Sequence, residues 1–139
     1  MRAQSPSPPA KRPTDRMSRE RRLRAGLFGR RAEQLAILFL RAKGYRILAR
    51  TYIVRGGEID IIARRGSAVA FVEVKARPTL DEALIAVTPA KQRRMSVAAR
   101  HWLSANQWAM RCSLRGDLMA IAPWRVPRHL IGAIELRLD

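Results

Sequence analysis

The sequence predicts a single α/β domain in which a mixed sheet is flanked by helices. Three observations carry this. A helical apolar repeat runs from about residue 27 to 43 and stops at Gly44. Three apolar runs follow between 45 and 76, broken by Gly56-Gly57 and by Arg65-Gly66-Ser67. A helix start, Thr88-Pro89, then opens a second amphipathic stretch. The 139 residues suit one domain, and 47% hydrophobic content is enough for a core.

In the first helix Phe28, Ala32, Leu35, Ala36, Phe39 and Leu40 follow the helical period. Arg30, Gln34 and Arg41 share the opposite face, and Gly44 is placed as a C-terminal cap. Glu33 falls on the border of the apolar stripe, where a solvated glutamate would not be expected. YRILARTYIV (45–54), EIDIIAR (58–64) and AVAFVEVKA (68–76) read as three strands, with a tight hairpin turn near residue 66. Arg77-Pro78 stops the third, because proline cannot donate to a ladder. Residues 78–87 are expected to be a connecting loop with at most a weak helical turn. In the second helix Thr88 serves as N-cap and Pro89 as first residue. Met95, Ala98, Ala99, Trp102 and Leu103 form its buried stripe, with Arg93 and Arg100 opposite. Lys91 projects toward the buried side in the first turn, from where it is expected to escape over a sheet edge. DLMAIAP (117–123) and residues 129–138 read as a fourth strand and a fifth at the edge.

The charge balance narrows the partner. There are 28 Lys+Arg against 11 Asp+Glu, a formal net charge of +17. Residues 1–24 hold eight basic and two acidic residues and four of the eight prolines, with almost nothing apolar. They are expected to form a disordered basic arm (Met17 within it is an alternative start), leaving 25–139 as the folded domain with net +11. Such an excess favours a polyanion, because each neutralised phosphate releases counterions. Cys112 is the only cysteine, which excludes an internal disulfide and a cysteine zinc site. His101 and His129 lack metal-ligand spacing. No apolar run reaches membrane-helix length and no secretory signal opens the chain. A reducing, cytoplasmic compartment without a membrane partner is expected.

Charges interrupt the second and third strands. Side chains alternate between faces, so Glu58 and Asp60 should share a face with Ile62, and Glu73 and Lys75 a face with Phe71. Val72 and Val74 then point into the core. Asp60 and Glu73 lie six and seven residues from residue 66, so they meet across the hairpin. Two carboxylates so placed repel unless a cation joins them, and Mg²⁺ prefers such oxygen ligands. A lysine pairing with a glutamate on a solvated face, with no metal, explains the same pattern.

GRRAE (29–33), GGEIDIIAR (56–64), FVEVKAR (71–77), VTPAKQRRM (87–95) and RGD (115–117) resemble the YraN family of small bacterial proteins, uncharacterised protein family 0102. The resemblance spans roughly residues 27–122 and implies a restriction-endonuclease-like α-β-β-β-α-β core. It implies that Asp60 and Glu73 are metal ligands, that Lys75 is the catalytic lysine, and that Glu33 completes the site with Mg²⁺ or Mn²⁺. Lys91 and Gln92 sit where relatives place supporting or phosphate-contacting residues. Arginines of the arm and helices are expected to bind backbone phosphates; Arg30, Arg64, Arg77 and Arg94 join Lys91 and Gln92 as nucleic-acid candidates. The sequence departs from the family at Thr51, where asparagine is common, at Gly116, which replaces an aromatic, and in the 78–87 loop, which lacks a Phe-Gly pair. The implied activity is metal-dependent hydrolysis of phosphodiester bonds in DNA, or in structured DNA or RNA, by a monomer or a homodimer. The alternative is a nucleic-acid-binding module of the same fold that cuts nothing.

Overall fold

A computed structural model describes residues 29–139. The expected basic arm and the apolar position Phe28 lie outside the described residues. Helix α1 covers 29–42 and is followed by β1 (Arg46–Val54), β2 (Gly57–Arg65) and β3 (Ala68–Ala76). Then come α2 (Leu80–Ile85), α3 (Pro89–Ala105), a short 3₁₀ turn (Gln107–Arg111), β4 (Ser113–Ile121) and β5 (Arg128–Ile134). The five strands form one sheet in sequential order. All neighbours are antiparallel except β3 and β4, which run parallel for nine residues because α2 and α3 cross between them. The sheet is therefore mixed, and the order of elements is the expected α-β-β-β-α-β core with one further edge strand.

Two apolar layers enclose the sheet. On one face Ala32, Ala36, Ile37 and Leu40 of α1 pack on Ile61, Ala63, Ala70, Val72, Val74, Met119 and Ile121. On the other, Met95, Ala98, Ala99, Trp102 and Leu103 of α3 pack on Ile59, Ile62, Val69, Phe71 and Leu118. The α3 stripe is the expected one, and Trp102 is core, edge-on to Phe71. The α1 stripe is rotated from the expected one. Leu35 is 42% exposed and Ile37 is buried instead, so the inward face is 32/36/37/40, with Glu33 at its rim. Gly57 permits the close approach of β2 to α3: a Cβ there would stand 2.6 Å from the Arg94 carbonyl oxygen.

Three boundaries differ from expectation. Residues 80–85 form a helix, not a loop, because Thr79 caps it by accepting a hydrogen bond from the Glu82 N–H at 3.2 Å. The fourth strand begins four residues earlier, at Ser113, since the parallel ladder with β3 extends back to Ala68. The fifth strand ends at Ile134.

Candidate functional site

The second strand does not alternate as expected. Gly57 and Ile59 face α3 and so does Ile62, whereas Ile61 and Ala63 face α1. The phase slips by one residue at Asp60. Opposite the slip, between the pairs Arg50↔Ile61 and Tyr52↔Ile59, stands Thr51 with φ +47°. Asparagine suits that conformation better than a β-branched threonine, which gives a physical reason for asparagine being common there. Glu58, between Gly57 and Ile59, thus does not alternate in phase with Ile62, and Asp60 stands at the slip itself.

The slip opens the sheet at its most charged point. The β2–β3 ladder stops at Ile61↔Val72. Beyond it the Asp60 carboxylate replaces a backbone partner, its Oδ2 accepting from the Val74 N–H at 2.8 Å. That bond sets Asp60 beside Glu73, the neighbour of Val74, as the distance from the turn predicts. Phe71 and Val69 of β3 face α3, so Glu73 and Lys75 also point to the α3 side. Lys75 Nζ stands 3.3 Å from Glu73 Oε1.

The first turn of α3 completes the cluster. Thr88 accepts from the Lys91 N–H, which fixes where that residue leaves the helix. Lys91 does not escape over the edge. Its side chain is only 13% exposed, its ammonium donates to Glu58 Oε1 at 2.6 Å, and it lies 3.3 Å from Glu73 Oε2. Burial alone would make the ammonium easier to deprotonate, but the bond to Glu58 and the charges of Glu73 and Asp60 outweigh this and hold it above the ordinary lysine range. The same bond holds Glu58 below the usual carboxylate range. Arg94, one turn on, reaches Glu58 at 3.7 Å.

Glu73 is the least satisfied member. It is 2% exposed, and its Oε2 has no hydrogen-bond partner among the described residues. Lys91 is close enough for attraction but not aligned to donate. Burial first, then the neighbouring Asp60 charge, push its carboxyl up to about 7, against the pull of Lys91 and Lys75. A divalent cation would supply what this oxygen lacks, and two neighbouring carboxylates fit Mg²⁺ or Mn²⁺, which bind through few carboxylates and keep several waters.

Glu33 lies near the pair without bonding to it. Burial and then Asp60 raise its pKa, so it senses the site, but it forms no ion pair or hydrogen bond with another described residue. Among the described residues no three carboxylates, histidines or cysteines stand together as a ready metal cage. The reason is local: Asp60 is tied to Val74, and Lys91 occupies the space between Glu58 and Glu73.

The nucleic-acid candidates separate into two groups. Lys91 and Arg94 border the carboxylates, and Arg77 is exposed two residues past Lys75. Arg30 is exposed on the outer face of α1. Arg64 is at the far, hairpin end of β2, donating to the Gly66 carbonyl and stacked 4.7 Å over Trp108, about 13 Å of strand from Asp60. Gln92 turns to the other side of α3, lining a cavity of about 380 Å³ with Arg93, Arg100 and Arg137. Neither of these two belongs to the carboxylate cluster.

Sequence reasoning missed a second polar centre. Asp117 of β4 is fully buried, yet it accepts from Arg115 Nε at 3.0 Å, His129 Nε2 at 2.7 Å and the Gly132 N–H at 3.0 Å. Lys43 stands 2.6 Å from His129 Nδ1. An ammonium can only donate, so Nδ1 accepts and Nε2 carries the proton to Asp117. Arg115 also donates to the Tyr45 hydroxyl. A lone Asp in the apolar run DLMAIA, with a histidine in the next strand, was the available signal.

A helix–three-strand–helix–strand core, with Asp60 on the second strand and Glu73 and Lys75 on the third, defines a mixed α/β domain with its carboxylates gathered at one point of the sheet. The comparisons place the chain further. The model of Uncharacterised protein family UPF0102 matches residues 32–121. A UPF0102 protein of Methylocella silvestris is 58% identical over 114 residues, covering 81% of this chain and 92% of that protein. One from Methylobacterium nodulans is 50% identical over 123 residues, 88% and 95% of the two chains. UPF0102 protein R00337 of Rhizobium meliloti is 54% identical over 113 residues, 81% and 93%. The chain belongs to family UPF0102. Among the described residues no helix is long and apolar enough to cross a membrane.

Proposed function

We propose that the protein is a divalent-metal-dependent nuclease hydrolysing phosphodiester bonds, with DNA as its first candidate substrate. One observation carries this reading: a buried glutamate oxygen without a hydrogen bond, next to a second carboxylate, at the point where the sheet opens beside a lysine. Asp60 and Glu73 would hold the metal. When bound, it would polarise a phosphate oxygen and lower the pKa of an attacking water.

The chain's own residues do the rest. Asp60 is locked by Val74, so its free oxygen has a fixed direction. Lys75, 20% exposed and anchored to Glu73, presents its ammonium at the opening. There it can hold the attacking water and stabilise the added negative charge of the transition state. Lys91, Arg94 and Arg77 offer cations for flanking phosphates, contacts that position the backbone without reading sequence. The +17 net charge draws the polyanion to a site whose carboxylates would otherwise repel it.

A second reading is favoured by Lys91. Its ammonium between Glu58 and Glu73 already offsets part of the negative charge, as in a domain that grips nucleic acid without cutting. One experiment separates the two. The purified protein is incubated with labelled duplex, single-stranded, flap and four-way-junction DNA and structured RNA, in Mg²⁺, Mn²⁺ or EDTA. Metal-dependent cutting, lost in Asp60→Asn and in Lys75→Ala, is the expected result. Binding without cutting in either metal leaves the binding module, and cutting that survives Asp60→Asn refutes the site.

A further inference from the structure

We infer that Trp124 is a stacking platform for an unpaired nucleobase and gives the site a preference for strands that are not fully paired. This rests on the nucleic-acid reading above. The three tryptophans are treated differently by the fold. Trp102 is buried against Phe71, and Trp108 packs edge-on to Trp102 under Arg64. Trp124 is 104% exposed. Nothing among the described residues covers its indole, so packing against them buries none of it.

The backbone makes that exposure more pointed. Trp124 has φ +59°, a left-handed conformation that a bulky side chain adopts at a cost. Glycine or asparagine would hold the same turn more comfortably. An aromatic kept at a strained, fully exposed position offers nothing to stability, and such strain gathers where a ligand is met.

Position and charge then say what is met. In the parallel ladder Lys75 pairs with Ala120 and Ala76 with Ile121, and the Arg77 N–H donates to the Ile121 carbonyl at 3.0 Å. The loop 122–127 therefore leaves the sheet at the end where Lys75 stands, only three residues before Trp124. Exposed Arg125 and Arg128 flank the indole in sequence, and Arg77 is exposed on the adjoining strand end. Arg125 and Arg128 line a groove of about 370 Å³ with Pro78 and Leu80, in which Asp81 is the one acidic group. Aromatic faces among arginines suit a single strand, whose bases stack while its phosphates pair. A closed duplex offers the arginines its phosphates but gives the indole no base face.

The test uses the full chain in EDTA, so that nothing is cut, with a single-stranded 12-mer and its duplex. Trp124→Ala is expected to weaken single-strand binding about tenfold and to leave duplex binding within about twofold, while Trp124→Phe keeps most of the affinity. In a Trp108→Phe background the single strand is expected to quench the fluorescence, and the quench to vanish when Trp124→Phe is added. Equal effects on both substrates, or none, overturn the stacking role. If Trp124→Ala changes nothing while metal-dependent cutting is intact, the stacking inference alone falls. If no form of nucleic acid binds at all, the nuclease reading falls with it.

Discussion

Two buried carboxylates stand on adjacent strands, one register step apart and on opposite faces of the sheet. Glu73 of β3 pairs with Leu118, and Asp117 of β4 pairs with Val72. Both are almost wholly removed from water, yet they end in opposite states. Burial pushes Asp117 up, but the bonds from His129, Gly132 and Arg115 outweigh it and hold its carboxyl below the usual range. Burial pushes Glu73 up as well, Asp60 adds to it, and two lysines do not restore the balance. Burial therefore does not decide what a carboxylate is for; the number of aligned donors does. The satisfied one ties β4, β5 and the end of α1 together. The unsatisfied one is where a cation would have something to gain, which is why the proposed site is centred on it.

The contrast is broken most severely at Asp117. Replacing it with alanine leaves Arg115 and a buried His129 without their partner, and about 3–5 kcal/mol of stability should be lost. Urea unfolding followed by circular dichroism reads this as a lower midpoint. Glu73→Gln should move the other way. The amide keeps the shape, removes the repulsion with Asp60, and is expected to add on the order of 1–2 kcal/mol at pH 8.

The pH dependence sharpens the same contrast. Glu73 has a folded pKa of about 7 against an ordinary 4.5, so between these values the folded chain holds more protons than the unfolded one. Its contribution to stability is full below about pH 4.5 and is lost as pH rises through about 7. The advantage of Glu73→Gln over the wild type should therefore grow from pH 4.5 to 7 and level off above. Asp117, held below its ordinary 3.8, contributes fully above that value and loses its contribution only as pH falls through its lowered pKa. An advantage of Glu73→Gln that is constant across pH 4–8 would contradict the raised carboxyl.

The smallest effect concerns the slip that opens the site. Thr51→Asn relieves a β-branched residue at φ +47° and should stabilise by about 1 kcal/mol without changing the fold. A melting temperature that does not rise would mean that Thr51 makes compensating contacts. Thr51 also shows where the sequence was opaque. Regular alternation correctly placed Val72 and Val74 in the core and Glu73 on the other face, because β3 is regular. In β2 it failed at Asp60, because a one-residue slip is a property of the strand pair and not of either strand alone.

Other elements divide in the same way. The Thr88-Pro89 start of α3 is legible because capping is local, and Thr79 three residues before Glu82 is an equally local signal for α2. The proximity of Asp60 and Glu73 followed from counting residues to a turn. The capture of Lys91 did not, since it depends on how closely Gly57 lets α3 approach β2. Gly116 belongs to this class too: a Cβ there would stand 2.5 Å from the Ile134 carbonyl oxygen, so the aromatic common in the family has no room against β5.

The most direct measurement is a carboxyl NMR titration of Glu73, with and without Mg²⁺. Without metal the group should titrate near 7, well above the ordinary 4.5. With saturating Mg²⁺ the titration should move down by about two pH units or more, as expected when a cation takes up the unpaired oxygen. The shift should be absent in Asp60→Asn. A Glu73 that titrates near 4.5 and ignores Mg²⁺ would contradict the metal site proposed at the opening of this sheet.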